Sequence, residues 1–402
     1  MGNTCSHDKT ECIIENDNTF DTSGHNLSRN VKGQNNRSNN LLKSTFSKIE
    51  EEDYTDNIHE STIIQNMTSA VYDGLEELCA SSNAKIAYKV ITNDEFNEKL
   101  KETNTKIDQI IQANKTQLDS IKKSYSNSNQ SESIKEYKID PICFYDPTTQ
   151  APISYYRGDF TAEGIKQGYG EEIMSNKTIY MGIYQNGKFS CEGMLVYQNG
   201  DYYIGTFYNG NVCNKGTLVL TDYMTYTGEW KDNKKNGYGI ETCYEDKSVY
   251  EGEFVNGEKE GKGVLKFNDG SYYSGSFKNS KFEGEGEFHW PDGKKYMGEF
   301  KEGKIHGKGE YTWPDGNRYV GCYENGVKKG EGVYYWKSGN YFKGNFLNNN
   351  MHGEGVVNFN GGEYKVVLRF GKIIHIDMVN SKDNSQVELK EKIEEQLNSI
   401  EQ

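Results

Sequence analysis

Residues 250–272 read YEGEFVNGEKEGKGVLKFNDGSY, and this stretch decides the fold of the second half of the chain. Tyr250, Gly252 and Phe254 alternate with glutamates, which is the two-residue period of a strand with one aromatic and one charged face. The Asn-Gly pair at 256–257 predicts a tight turn because glycine reaches positive φ without a Cβ clash. A second strand and an Asn-Asp-Gly turn follow. The stretch therefore predicts one β-hairpin.

The pattern recurs with a period of 23 residues, and single-residue insertions lengthen two of the repeats. Its leading aromatic residues are Tyr156, Tyr180, Tyr203, Tyr226, Tyr250, Tyr273, Tyr296, Tyr319 and Phe342. Asn214 and Cys191 replace the glycine that most repeats carry eleven residues after the leading ring. Residues 364–371 read as a degraded half repeat that closes the array. We expect nine hairpins over 156–371 in a mainly β fold, an elongated single-layer antiparallel meander.

Glycine weakens the interior of a strand, so its recurrence beside large rings needs a physical reason. Of 43 glycines, 39 fall between Gly158 and Gly371. Rings that lie over the bare glycine backbone are the natural explanation, and they would take the place of an aliphatic core.

The string Y-x-G-x-F-x-x-G-x-x-x-G-x-G-x-x-x-F-x-x-G closely resembles the MORN (membrane occupation and recognition nexus) repeat, over a little more than half of the chain. The resemblance implies a groove-like sheet of hairpins and a role in scaffolding, often near membranes, the cell cortex or cilia. Lipid binding is a common proposal for such repeats. However, the array has 26 basic and 29 acidic residues, which gives lipid binding no electrostatic support. Protein contact is the better expectation.

We expect the aromatic rings to line a groove for a protein partner. The residues proposed for this groove are Tyr226, Trp230, Tyr250, Phe254, Tyr273, Phe277, Tyr296, Phe300, Tyr319 and Tyr323. The alternative is that these rings only fill the core of the ribbon, and for any single ring it has at least equal weight.

The flanking segments have different patterns. Residues 1–50 are rich in Asn, Ser and charge and are predicted to be a disordered tether. Residues 55–125 are predicted to be helical, with an amphipathic helix at 58–79 and a second helix from the Thr92 capping box to about Lys123.

Leu100, Ile107, Ile111, Leu118 and Ile121 form one seam on the second helix. This seam fits either a short coiled coil or packing against another part of the chain. Residues 126–155 are expected to be a linker, and residues 381–402 a C-terminal amphipathic helix that lies across the open end or aromatic face of the sheet.

The first residues, MGNTCS, fit the N-myristoylation pattern at Gly2, and Cys5 is a candidate for palmitoylation. One myristoyl chain binds membranes only marginally, so stable anchoring needs the second acyl chain. The alternative is a chance match in a disordered start.

Several function classes are disfavoured. The net charge of −14 argues against nucleic acid as a partner. The G-x-G pairs are not followed by Lys-Ser or Lys-Thr, which argues against a phosphate loop. His306 and His352 lie two repeats apart, too far to share a metal ion. No catalytic signature is present, and we expect no enzyme activity, catalytic residue, cofactor or metal.

The leading hypothesis is a non-catalytic scaffold or adaptor, anchored by acylation at the cytoplasmic face of a membrane, with a cortical or ciliary site as options. The protein partner is unidentified, and a homodimer is open. The first alternative is a regulatory or targeting subunit of a separate enzyme such as a phosphoinositide kinase. Others are a direct phospholipid-binding module and a secreted wall or choline binder, although the start of the sequence argues against secretion.

Overall fold

A computed structural model describes residues 87–103, 105–128, 137–138, 140–146, 148–162, 164–377 and 385–398. The predictions of a tether at 1–50, a helix at 58–79 and acylation at Gly2 and Cys5 lie outside these residues.

The helices are α1 (Asn93–Lys101), α2 (Thr105–Ala113), α3 (Lys115–Ser128) and α4 (Ser385–Asn398). The strands are β1 (Ala87–Val90), β2 (Tyr137–Lys138), β3 (Ile142–Tyr145), β4 (Pro152–Phe160), β5 (Lys166–Met174), β6 (Ile179–Gln185), β7 (Lys188–Val196), β8 (Tyr202–Tyr208), β9 (Asn211–Leu220), β10 (Met224–Lys231), β11 (Lys234–Cys243), β12 (Val249–Val255), β13 (Glu258–Lys266), β14 (Tyr272–Lys278), β15 (Lys281–His289), β16 (Lys295–Lys301), β17 (Lys304–Thr312), β18 (Arg318–Glu324), β19 (Val327–Tyr335), β20 (Tyr341–Leu347), β21 (Asn350–Phe359), β22 (Gly362–Arg369) and β23 (Lys372–Asp377).

The strands form one antiparallel sheet in which each strand from β4 to β23 pairs with the next. The predicted mainly β meander with flanking helices is confirmed. The expected linker at 126–155 differs from the structure, because β3 pairs with β4 on one side and with β1 on the other. A bare edge on β4 would leave its backbone groups unpaired, and β3 satisfies them. The half repeat at 364–371 lies mainly in β22, and β23 adds one strand beyond it.

Each repeat from the one that starts at Tyr180 onward combines a two-residue turn with a β-bulge. In the repeat that starts at Tyr250, Asn256 and Gly257 both have positive φ (52° and 98°), as a type I′ hairpin turn requires. The register shifts between Gly252 and Phe254, where Glu253 alone faces Glu260, Gly261 and Lys262, so the bulge lies on β13. The hydroxyl of Tyr250 donates a hydrogen bond to the carbonyl of Glu253 at 2.9 Å. The leading tyrosine therefore satisfies a backbone acceptor opposite the bulge.

Glycines pair with glycines across the sheet and form a row from Gly158 to Gly355. Gly252, for example, pairs with Gly239 on one side and Gly263 on the other. The leading ring of each repeat lies over this row. In the repeat that starts at Tyr250, for example, a Cβ built on Gly263 would be 2.5 Å from the Tyr250 hydroxyl. The expectation that rings pack over bare backbone is confirmed at these positions.

The glycine eleven residues after the leading ring has a different role. Gly261 there has a φ of 68°, in the left-handed region that favours glycine. Cys191 and Asn214, which replace this glycine in two repeats, adopt the same region with φ of 54° and 55°. The backbone of the repeat thus imposes its conformation even where the residue disfavours it.

The second predicted helix is three helices in the structure. It starts at the expected capping box, where Glu95 N–H donates to Thr92 Oγ1 and Thr92 N–H donates to Glu95 Oε2. The first break follows Lys101, and Thr103 donates its hydroxyl to the carbonyl of Leu100. At the second break the Asn114 amide donates to the carbonyl of Ile110. Side chains that bond to the backbone in this way compete with a continuous helix.

Candidate binding groove

The ten rings proposed for a partner groove are buried in the sheet's own core. They project from one face of the sheet, called here the core face, and none is more than 6% exposed. A ring buried to this extent presents no surface to a partner. The alternative of a core-filling role accounts for their position.

The rings of the core face pack edge to face from one repeat into the next. The ring centroid of Tyr250 lies 5.1 Å from that of Phe254 in its own repeat and 4.9 Å from that of Phe277 in the following one. Aromatic pairs favour this geometry and gain energy beyond the area that they bury. The core is therefore continuous along the ribbon, and α4 covers its last strands with Ile393 and Leu397.

Lysines are buried among these rings in some repeats. Lys235 and Lys259 both form ion pairs with Glu241, the latter at 2.8 Å. Burial by itself would raise the pKa of the Glu241 carboxyl, but the two ammonium groups outweigh it and hold that pKa below its usual range. These lysines neutralise a buried charge and do not form an exposed catalytic pair.

Lys328 occupies the same repeat position as Lys235 and Lys259. Its ammonium lies 4.8 Å from the ring centroid of Trp313 and 5.3 Å from that of Tyr319. Burial lowers the pKa of Lys328 to about 8. Tyr334 stands six residues on, where the repeat of Lys235 has Glu241. The rings therefore provide cation–π contacts in place of that carboxylate.

The opposite face of the sheet carries an open groove of about 1000 Å³ that extends from β11 to β19. This groove face has the glycine row as its floor. Its walls are the side chains that alternate with the core rings. Tyr238, Met297 and Val320 are 52%, 52% and 37% exposed in this groove. Four glutamates (Glu251, Glu285, Glu287 and Glu331) and two lysines (Lys262 and Lys308) line it as well.

Helices α1 to α3 cover the groove face near the start of the sheet. Leu118 and Ile121 of α3 are buried against a cluster that includes Met181 and Met194. Tyr125 lies over Gly168, since a Cβ on that glycine would be 2.8 Å from its hydroxyl. The predicted helical seam thus packs on this chain, which was the alternative to a coiled coil.

The uncovered groove begins beyond the N-terminal end of α3. Ile121 and Gln117 line a smaller cavity of about 480 Å³ that extends to Tyr238, which also lines the main groove. A third cavity of about 980 Å³ continues from Glu331 to Asp377. Together the three cavities form one trough along the groove face.

The sequence contains a signal for this groove among the residues that alternate with the rings. The sequence pattern predicts one aromatic and one charged face, and Glu253, Glu285 and Glu287 lie on the charged face. Ile240, Met297 and Val320 follow the same alternation and are 41%, 52% and 37% exposed, so this face carries apolar side chains as well as charges.

His306 and His352 have a local structural role. Nδ1 of each accepts a backbone N–H, from Asn325 and Phe370 respectively, at 3.4 Å. Among the described residues, no group of three or more His, Cys, Asp and Glu side chains is placed to hold a metal ion. No helix in this part of the chain has the length and apolar character needed to cross a membrane.

The MORN repeat family model matches seven segments of the chain, residues 180–202, 226–245, 250–272, 273–295, 296–318, 319–341 and 342–363. The hairpins that start at Tyr156 and Tyr203 have the same strand pairing but are not among the matched segments.

Among solved structures, the TCP10 domain of Danio rerio CPAP is 12% identical, with 48% of this chain and 89% of that chain covered and a TM-score of 0.28. The same domain in complex with a peptide of Danio rerio STIL has 12% identity, coverage of 61% and 98%, and a TM-score of 0.28. The G-box domain of the microcephaly protein CPAP is 11% identical, with coverage of 47% and 99% and a TM-score of 0.20. TM-scores this low carry no argument about function.

Proposed function

We propose that this MORN-repeat protein is a non-catalytic scaffold that binds a protein partner along its groove face. The observation that carries the proposal is the uncovered trough with exposed apolar side chains, of which Met297 and Val320 are the most central. A monomer rarely leaves such a row in water without a partner.

Affinity purification from the native cell tests this proposal. Met297→Asp combined with Val320→Asp places two carboxylates in the groove, and we expect it to remove the partner. Val255→Asp is the matched control, since Val255 is 47% exposed and lies outside the groove. Identical partner lists for the three proteins would contradict the proposal. Recovery of a lipid kinase as the groove-dependent partner would favour the regulatory-subunit alternative.

We also propose that acylation at Gly2 and Cys5 holds the scaffold at the cytoplasmic face of a membrane, which includes a cortical or ciliary membrane. The support is the sequence pattern at the first six residues. Gly2→Ala should move the protein to the soluble fraction, and Cys5→Ser should weaken its retention. Full membrane retention of both variants would refute the anchor.

A further inference from the structure

We propose that the partner of the groove is an amphipathic α-helix with an apolar stripe flanked by Lys and Arg. This inference rests on the proposed function and specifies the class of partner. Three observations support it: the way in which α3 lies on the same face, the spacing of the apolar groove residues, and the charge of the groove walls.

Helix α3 shows which secondary structure the trough accepts. Its Tyr125 contacts Gly168 of β5, and its Gln117 reaches the cavity beside Ile204 of β8. Eight helical residues rise about 12 Å, and three strand spacings measure about 14 Å. The two lengths agree, so α3 runs along the ribbon, across the strands. A helix is therefore compatible with the width and direction of the trough.

The apolar residues beyond α3 have a spacing that a helix can follow. Ile240 and Val264 lie two strands apart, and so do Met297 and Val320, while Val264 and Met297 lie three strands apart. Two strand spacings measure about 9.6 Å, while seven helical residues rise about 10.5 Å. A helix with a seven-residue apolar period therefore matches the spacing within each of these two pairs to about 1 Å. From β11 to β18 such a helix needs about 22 residues.

The charge of the groove walls favours basic residues on both sides of the apolar stripe of the partner helix. Four glutamates against two lysines line the main groove, and the Lys262 ammonium already donates to Ser276 Oγ at 2.8 Å. A partner helix with basic flanks complements this surface. The chain's own predicted helix at 58–79 contains no Lys or Arg but has four acidic residues, so it is a poor occupant.

Two synthetic 22-residue helical peptides test the inference. Both carry the same leucine stripe, with Lys and Arg flanks in one and Glu flanks in the other. A third peptide has the basic composition with two central prolines that prevent a helix. Fluorescence anisotropy with the full chain at 0.15 M salt should show at least tenfold tighter binding of the basic helix than of either other peptide.

Two charge-reversal variants separate groove binding from general attraction to an acidic protein. Glu285→Lys with Glu331→Lys should weaken binding of the basic helix at least tenfold. Glu391→Lys with Glu395→Lys on α4 changes the net charge equally and should leave the affinity within twofold. Circular dichroism checks that both variants keep the sheet.

Each outcome decides the question. Equal binding of all three peptides, or equal losses in both charge variants, would overturn the helical basic partner. If no peptide binds but Met297→Asp with Val320→Asp still removes the cellular partner, the groove function stands and the partner class is wrong. If the cellular partner is also unaffected, both proposals fail.

Discussion

A methyl group added at Gly263 tests whether the tyrosine over the glycine row is the reason that glycine is needed there. In Gly263→Ala the three atoms nearest to the new Cβ all belong to Tyr250, at 2.5–2.7 Å. The ring cannot move away, because it is buried between Phe254 and Phe277 and bonded to the Glu253 carbonyl.

The expected cost follows from these contacts. Overpacking of this kind costs about 1–3 kcal/mol. Loss of the hydrogen bond from the Tyr250 hydroxyl adds about 1 kcal/mol. Replacement of glycine by alanine within a strand by itself raises the free energy of unfolding by about 0.5 kcal/mol. We therefore expect Gly263→Ala to lower the free energy of unfolding by about 1.5–3.5 kcal/mol.

A double-mutant cycle isolates the ring as the cause. In a Tyr250→Ala background Gly263→Ala should be neutral or slightly stabilising, because the ring atoms are gone. Gly252→Ala is the matched control: two of the three atoms nearest to its Cβ are backbone, the Gly263 Cα and the Lys262 carbonyl oxygen. Removal of the Tyr250 ring should therefore restore much less of the stability that Gly252→Ala loses.

Urea unfolding followed by circular dichroism gives the free energies, and equal m-values verify that the variants expose equal surface. If Gly263→Ala lowers the free energy of unfolding equally with and without the Tyr250 ring, the ring is not the reason that glycine is needed, and the reasoning fails.

Three further predictions concern single positions. Cys191→Gly should stabilise the chain by about 1 kcal/mol in urea unfolding, because Cys191 has a φ of 54°; a loss of stability would show that its side chain matters more. Tyr250→Phe should cost about 1–2 kcal/mol in the same assay by leaving the Glu253 carbonyl unpaired, and no loss would mean that water replaces the hydroxyl. Lys328 has a pKa of about 8 in the folded chain and an ordinary value of 10.5, so stability should rise between pH 8 and pH 10.5, where only the unfolded chain holds the proton. Lys328→Met should add up to about 3 kcal/mol below pH 8 and flatten this part of the profile, which pH-dependent urea unfolding measures; an unchanged slope would contradict the assignment.

Local sequence was sufficient for the hairpin unit and for its repetition. Asn256-Gly257 sets the type I′ turn, and the alternation of Tyr250, Gly252 and Phe254 sets a two-faced strand. These features depend on φ preferences and on the two-residue period, which act between near neighbours. The same is true of the Thr92 capping box, whose two hydrogen bonds span three residues.

Alternation alone does not determine which face of a strand water reaches, and the tertiary structure decided this. The rings are buried because those of successive repeats meet across the sheet, as Tyr250 and Phe277 do. The surface proposed for a partner is therefore the face of Met297 and Val320 and not the rings.

For the helical seam as well, the sequence determined the local structure and the tertiary structure determined the packing. Its spacing established that Leu118 and Ile121 share one side of a helix, but a coiled-coil partner and a sheet require the same apolar stripe. Contact with Met181 and Met194, more than fifty residues away in the chain, decided between them. The sequence by itself determined the hairpin repeat, and only the folded chain determined which face is core and which remains open for a partner.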